Sequence, residues 1–272
     1  FHLGSYVDKQ PQEVTLKIDE AGKLPVIEYN FKPKSGLIRL VALGCLHVGH
    51  RNFMREYAQG FVDYVRDTPD TYALLMADTC ENVLAETVGR FPGVMHDQVM
   101  DVETQREEAI KLLQPIERKI LFALEGNHSL RAWYAAGFSV ERYIAEALGV
   151  PFPGLEVIAK IRVHKQEYTL HATHGTGSTS SPQAVFGKLL QQSTRVNGVD
   201  VVIRSHHHHK GLFETTVFDG NSGEQRKVLL CSTGCFMGYL NSYGHRKGMR
   251  PIVPGCVKIK LYSEKRDSHA TL

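Results

Sequence analysis

The run Ser205-His206-His207-His208-His209-Lys210 is the densest group of metal-binding side chains in the sequence. It follows Val199-Asp200-Val201-Val202-Ile203-Arg204, a β-branched apolar run that predicts a short buried strand. Successive side chains of a strand leave on opposite faces. His206 and His208 would therefore share one face, and His207 and His209 the other. Two imidazoles on one face at a strand end are half of a metal site. A solvated polar loop accounts for the same four residues equally well, so the remaining sequence decides.

Nine of the 14 histidines group at 47/50, 164/171/174 and 206–209. Four further sets of reactive residues each follow an apolar run: Cys45 with His47, Asp78, Asn127 with His128, and His174. Each has a bland explanation. Cys45 can be a small buried hydrophobe, Asp78 a helix cap and Asn127 a turn residue, and His174 a backbone hydrogen-bond partner. Five such accidents at consecutive strand ends are improbable together. Donors of these types suit Zn, Mn or Fe, with Ni also compatible. They are too many for one tetrahedral ion, and two divalent ions sharing a carboxylate is the economical arrangement.

The elements that must position these residues can be read from periodicity. Residues 12–31 predict a hairpin turning at Glu20-Ala21-Gly22-Lys23. Strands are predicted at 37–43, 72–76 and 119–124. Helices are predicted at 51–67, 98–114, 129–136 and 139–148, with a loop at 83–97 marked by Gly89, Pro92 and Gly93. A second hairpin (155–164 and 167–173) leads through a Gly/Ser/Thr loop (176–181) and a helix (182–195) to the strand before the four histidines. Strands at 211–218, 226–232 and 255–262 complete the chain. The pattern predicts one α/β domain over 1–272, with two sheets and helices outside. Its parts are the N-terminal hairpin 12–31, a motif core 37–210, and C-terminal strands and tail 211–272. Sites in such folds form at the carboxyl ends of strands.

Composition is that of an ordinary globular protein, 42% hydrophobic and 22% charged over 272 residues. With 32 basic against 29 acidic residues, the balance is compatible with an anionic substrate without establishing one. Five cysteines, without a dense framework or a secretory segment, predict a reduced, cytoplasmic protein. No apolar run approaches the ~18 residues a membrane span requires.

The ordered motifs resemble those of the calcineurin-like metallophosphoesterases. That family's pattern is Asp-x-His, Gly-Asp-x-x-(Asp/Glu), Gly-Asn-His, His, and Gly-His-x-His. The matching stretches here are Cys45-Leu46-His47, Ala77-Asp78-Thr79-Cys80-Glu81, Gly126-Asn127-His128, His174-Gly175 and Ser205-His206-His207-His208. Glu81-Asn82 and the tail Tyr243-Gly244-His245-Arg246-Lys247-Gly248 are similar to a branch common in phages and prophages. The resemblance implies a four-layer αββα sandwich of two mixed sheets with a dinuclear site at strand ends. It implies that Asp78 bridges both ions. His47 and His208, with Cys45, would hold one ion, and Asn127, His174 and His206 the other. His128 would face the scissile phosphate, stabilising the transition state or protonating the leaving group. The reaction expected is phosphodiester hydrolysis by in-line attack of a hydroxide shared by the ions, on nucleotides or nucleic-acid ends. A phosphomonoesterase is the nearest alternative, and a metal- or nucleic-acid-binding protein with a weakened site is another. The protein-phosphatase branch carries Asp-Arg-Gly where this chain has Glu81-Asn82-Val83, which argues against that substrate.

The sequence departs from the pattern at Cys45, Ala77 and Ser205. Cys45 replaces an aspartate; as a thiolate ligand it would favour Zn²⁺ or Fe over Mg²⁺. Ala77 and Ser205 replace glycines, for which only small adjustments are expected. Register is open twice: His171 or His174, with His174 favoured by the following Gly175, and His206/His208 or His207/His209. Residues expected around the ions or near substrate are His50, Glu81, His171, His207, Tyr243, Arg246 and Lys247. Tyr239, Tyr243 and Arg250 interleave aromatic and basic character suited to stacking bases.

Overall fold

Leu37–Leu43 is apolar apart from Arg39, and it forms the centre of a sheet in the computed structural model of the chain. The structure describes residues 14–17, 22–85, 87, 95–177, 181–220, 222–246 and 248–272. In chain order its strands are β1 (Val14–Lys17), β2 (Val26–Phe31), β3 (Leu37–Leu43), β4 (Thr71–Leu75), β5 (Ile120–Ala123), β6 (Glu156–Val163), β7 (Gln166–Thr173), β8 (Val201–Arg204), β9 (Lys210–Phe218), β10 (Gln225–Thr233), β11 (Val257–Tyr262) and β12 (Ser268–Thr271). Its helices are α1 (Arg55–Asp67), α2 (Val102–Leu113), α3 (Asn127–Ala136), α4 (Val140–Leu148), α5 (Pro182–Ser193) and the single turn α6 (Tyr243–Arg246).

Two mixed sheets result. One has the order β1-β2-β6-β7-β8-β10-β9 and the other β12-β11-β3-β4-β5. In the second, β3, β4 and β5 run parallel and β11 pairs antiparallel with β3. Strand alternation divides the apolar residues between layers. Leu40, Ala42, Leu74, Leu170, Ile203 and Leu229 fill the space between the sheets. Val41 and Leu43, one residue out of phase, pack under Val62 of α1, Leu112 of α2 and Ile144 of α4. Val202 and Leu230 pack under Val185 and Leu189 of α5. The layers are therefore α, β, β, α, as expected.

Helix starts follow local chemistry. Asp101, Ser139 and Ser181 cap α2, α4 and α5 by accepting from the backbone N–H of Thr104, Arg142 and Ala184. The helix expected from 51 begins at Arg55, because His50 and Phe53 are engaged in bridges to Gln98 and Met237. The strand expected over 199–204 starts at Val201 and ends at Arg204, so the four histidines lie wholly beyond it. Strand β12 and turn α6 lack a clear periodic signal and were not anticipated. The first hairpin pairs Val14 with Tyr29 through Lys17 with Val26. Glu20 and Ala21 of its expected turn, Gly89, Pro92 and Gly93 of the 83–97 loop, residues 178–180 of the 176–181 loop, and Lys247 lie outside the described residues. Among the described residues no helix is long and apolar enough to cross a membrane.

Candidate metal centre

The carboxyl ends of β3 and β4 continue side by side as loops. Cys45 N–H donates to Ala77 O, His47 N–H to Asp78 O and Val48 N–H to Thr79 O, at 2.8–3.0 Å. These loops bend through unusual backbone. Cys45, His47, Ala77, Asp78, Asn82, His206 and His208 all have φ between 51° and 72°. They are seven of the ten described non-glycine residues with positive φ, so strain is concentrated where the reactive side chains sit. Ala77 stands at φ 68°, a left-handed position that the glycine of the family pattern would occupy freely and alanine occupies at about 1 kcal/mol.

Close approach explains two glycines. A Cβ on Gly126 would lie 2.2 Å from Asp78 Oδ1, so only glycine admits the carboxylate there. A Cβ on Gly44 would lie 2.4 Å from Ser205 Oγ. The Ser205 hydroxyl therefore fills space that Gly44 leaves open, meeting Cys45 Sγ at 3.1 Å and accepting from Thr233 Oγ1 at 3.0 Å. Ser205 is thus a partner of Cys45, more than the passive substitute expected from sequence.

The structure brings Cys45, His47, Asp78, Asn127, His128, His174, His206 and His208 into one cluster. Ligand atoms of Cys45, His47 and His208 lie within 4.8 Å of one another, as do those of Cys45, Asp78 and His174, and of His47, Asp78 and His128. His174 Nδ1–H donates to Met76 O at 2.9 Å. Its Nε2 then meets two oxygens, Asp78 Oδ2 at 2.9 Å and Asn127 Oδ1 at 3.0 Å. A neutral imidazole would aim a lone pair at two acceptors, so this nitrogen requires a proton or a cation. Burial lowers the pKa of His174, but the Asp78 carboxylate outweighs it and the net shift is upward. Burial pushes the Asp78 carboxyl up, and His174 with its neighbouring imidazoles holds it well below the usual range instead.

A second conflict lies alongside. His47 Nδ1–H donates to Glu81 Oε2 at 2.8 Å, leaving Nε2 as a lone pair 3.1 Å from His208 Nε2. Burial, then His47, holds His208 well below an ordinary histidine, so without an ion only the neutral Nε2–H tautomer of His208 settles this contact. His206 packs its ring 5.2 Å from that of His174, and its Nδ1 is buried without a partner among the described residues. Burial and His174 lower its pKa to about 4. Imidazole, amide and thiol donors converging on one buried carboxylate fit two cations. Cys45 is a thiol without them: burial, then Asp78, raises it well above its ordinary value.

Strand alternation places His206 and His208 on one face, but the structure turns their rings toward different partners. Both lie past the strand, and left-handed backbone at 206 and 208 directs one toward His174 and the other toward His47.

His128 has a different environment. Its backbone N–H donates to Asp78 Oδ1 at 3.0 Å, its Nδ1–H to Glu81 O at 2.6 Å, and its Nε2 accepts from Arg131 Nη2 at 3.1 Å. Both ring nitrogens are engaged, which disfavours coordination. Burial lowers its pKa to about 4. The proton needed for leaving-group protonation is therefore disfavoured until an anion arrives.

The remaining expected residues are sorted by their partners. Glu81 orients His47, and the opposition of burial by His128 and His47 leaves its pKa at about 2. His50 is buried on the cavity wall and accepts at Nδ1 from Asn52 N–H at 3.0 Å. His171 is not in the cluster. Tyr168, Leu170 and Ala172 face the inter-sheet core, so His171 points to the opposite, α5-covered face, buried and 3.1 Å from Glu156. His207 lines the cavity and accepts at Nε2 from Arg204 Nε–H at 3.2 Å. Arg246 does not face the cavity: its guanidinium is spent on both oxygens of buried Asp97.

The cluster opens into a cavity of about 530 Å³. Its far wall comes from the segment between β10 and β11, through Met237, Tyr239, Met249, Arg250 and Ile252. This segment walls the site opposite the ligand cluster. Sequence reading also missed Arg131, which follows His128 by three residues on α3 and therefore shares its face.

Beneath the site, Glu141 of α4 accepts from Thr79 N–H at 2.7 Å and Thr79 Oγ–H at 2.8 Å. Burial raises its pKa to about 8 from 4.5. A raised folded-state pKa stabilises fully below the unfolded value and is lost as pH rises through the folded one. Wild type is therefore expected to lose stability between pH 4.5 and 8. Glu141→Gln, whose amide can satisfy both Thr79 groups, should flatten that decline by a few kcal/mol, read from urea midpoints across pH. Equal pH slopes in both proteins would contradict the assignment.

No family model matches the sequence, and no curated protein is similar to it. Among solved structures, the chain is similar to a conserved uncharacterized protein, a predicted phosphoesterase, from Streptococcus pneumoniae TIGR4. The identity is 10%, covering 86% of this chain and 97% of that chain, with a TM-score of 0.38. It is also similar to calcineurin-like phosphoesterase YfkN from Bacillus subtilis. There the identity is 13%, covering 86% of this chain and 90% of that chain, with a TM-score of 0.41. Likeness at this level bears no weight on chemistry, which rests on the side chains.

Proposed function

We propose that this protein is a dinuclear metal-dependent phosphoesterase of the calcineurin-like type, acting on phosphodiesters such as nucleotides or nucleic-acid ends. The observation that carries the reading is the convergence of imidazole, thiol and amide donors on buried Asp78, beside a cavity. Cys45, His47, Asp78 and His208 would hold one ion, and Asp78, Asn127, His174 and His206 the other. Bound divalent ions would supply Lewis-acid polarisation of the ester and a nucleophilic water at neutral pH.

The chain's own residues do the rest. Glu81 fixes the His47 tautomer through Nδ1, and Met76 O fixes that of His174. His128 is held by Glu81 O and the Asp78 carboxylate, with Nε2 4.0 Å from Asp78 Oδ2, where a bound ester oxygen would lie close to it. The apolar wall of Met237, Tyr239, Met249 and Ile252 gives a second ester substituent a surface, which favours a diester over a monoester. Tyr239 and Arg250 on that wall support a nucleotide.

The test is turnover of bis-p-nitrophenyl against p-nitrophenyl phosphate by metal-free protein reloaded with Mn, Zn, Fe, Ni or Mg. Metal-dependent turnover preferring the diester is expected, with Zn or Fe retained more tightly than Mg if Cys45 coordinates. Preference for the monoester would make it a phosphomonoesterase. No turnover with any ion would leave a metal-binding protein.

A further inference from the structure

We propose that Arg131 is a catalytic residue that grips a non-bridging oxygen of the phosphate ester beside His128. The inference rests on the phosphoesterase reading and adds to it a substrate-binding group outside the resembling motifs. Arg131 lines the cavity, with about a quarter of its side chain (24%) exposed. Nη1–H donates to Glu81 O at 2.9 Å and Nη2–H to His128 Nε2 at 3.1 Å.

Charge accounting shows what is missing. The closest carboxylate oxygen to Arg131 is Glu81 Oε1 at 4.0 Å, and the other oxygen of Glu81 is held by His47. Asp97, the other carboxylate on the cavity wall, is taken by Arg246. Arg131 is thus a largely covered cation with no carboxylate at hydrogen-bond distance. Of five guanidinium N–H groups, two have these partners. A covered guanidinium whose nearest carboxylate stands off at 4.0 Å is a fork for an anion, and carboxylate or phosphate oxygens suit it bidentately.

Its position is set by what it touches. It meets the same His128 nitrogen that lies 4.0 Å from Asp78 Oδ2, so its charge sits at the edge of the ligand cluster. A guanidinium keeps its protons throughout, so it donates hydrogen bonds and transfers no proton. It stabilises the charge that accumulates on the phosphoryl oxygens. A purely structural Arg131 would only tie the Glu81 carbonyl to α3.

Arg131→Ala and Arg131→Lys, loaded with Mn²⁺, separate these roles. Metal content and melting temperature should match wild type. Calorimetric affinity for inorganic phosphate should weaken about tenfold or more, and kcat/KM for bis-p-nitrophenyl phosphate should fall about 10²–10³-fold in the alanine variant. The lysine variant should fall between, and added guanidinium should restore part of the alanine variant's turnover. Phosphate affinity and kcat/KM within about twofold of wild type would overturn the proposal. So would a fall that tracks loss of metal or of folded protein. If wild type hydrolyses no ester, the phosphoesterase reading fails on its own, and phosphate binding alone decides the role of Arg131.

Discussion

Asp78→Asn removes ion binding and at least about 10³-fold of turnover while leaving the fold intact. The carboxylate is buried at the meeting of both ligand groups, with Oδ1 accepting from His128 N–H and Oδ2 2.9 Å from His174. Asparagine has the same shape. Its oxygen can keep the His128 contact, and its NH₂ can donate to the lone pair of His174 Nε2, resolving the conflict without a cation. The metal-free variant should still unfold cooperatively, with a melting temperature set by the exchange of the Asp78–His174 ion pair for a neutral hydrogen bond. The signature lies in the response to metal. At 100 times Kd an ion binding only the native state stabilises by about 2.7 kcal/mol. Wild type should show a clear rise in melting temperature with Mn²⁺ or Zn²⁺, and Asp78→Asn little or none. Two ions bound by the variant at wild-type affinity would remove Asp78 from its bridging position.

His128→Ala should lower kcat by about 10²–10⁴-fold with metal stoichiometry unchanged. The ring is close enough to Asp78 and His47 to count among candidate ligands, its centroid 4.5 Å from that of His47. Its nitrogens say otherwise, since one donates to Glu81 O and the other accepts from Arg131. The two assignments separate cleanly by elemental analysis. Loss of one ion equivalent in the variant would make His128 a ligand, and unchanged turnover would leave it without a role in the reaction.

Much of the site was legible because residue type and strand ends coincided. Leu37–Leu43 is read correctly to the residue, since a nearly continuous apolar run of seven fits only a buried strand. The position of His171 was also available: it is out of phase with Tyr168, Leu170 and Ala172, which the core claims. Arg131 was available too, one helical turn beyond His128. Other features were not legible. Left-handed backbone at Cys45 and Ala77 is not encoded by residue types that favour it, and at Asp78, His206 and His208 the type permits it without signalling it. The pairing of Arg246 with Asp97 spans 149 positions, and no local pattern reports it; a basic tail residue that looked ready for phosphate is spent on holding the chain in place.

That attachment has an evolutionary consequence. The cavity's two walls have separate origins. The reactive one is assembled from five loops of the first 210 residues, while the other is one stretch between β10 and β11, fastened by Arg246 to Asp97 and by Asn52 to the carbonyls of Gly238 and Leu240. Substitutions in Met237, Tyr239, Met249 or Ile252 can reshape what fits without moving a single ion ligand. If the proposed function holds, selection can thus retune the range of accepted esters through one segment while the proposed ion ligands stay in place.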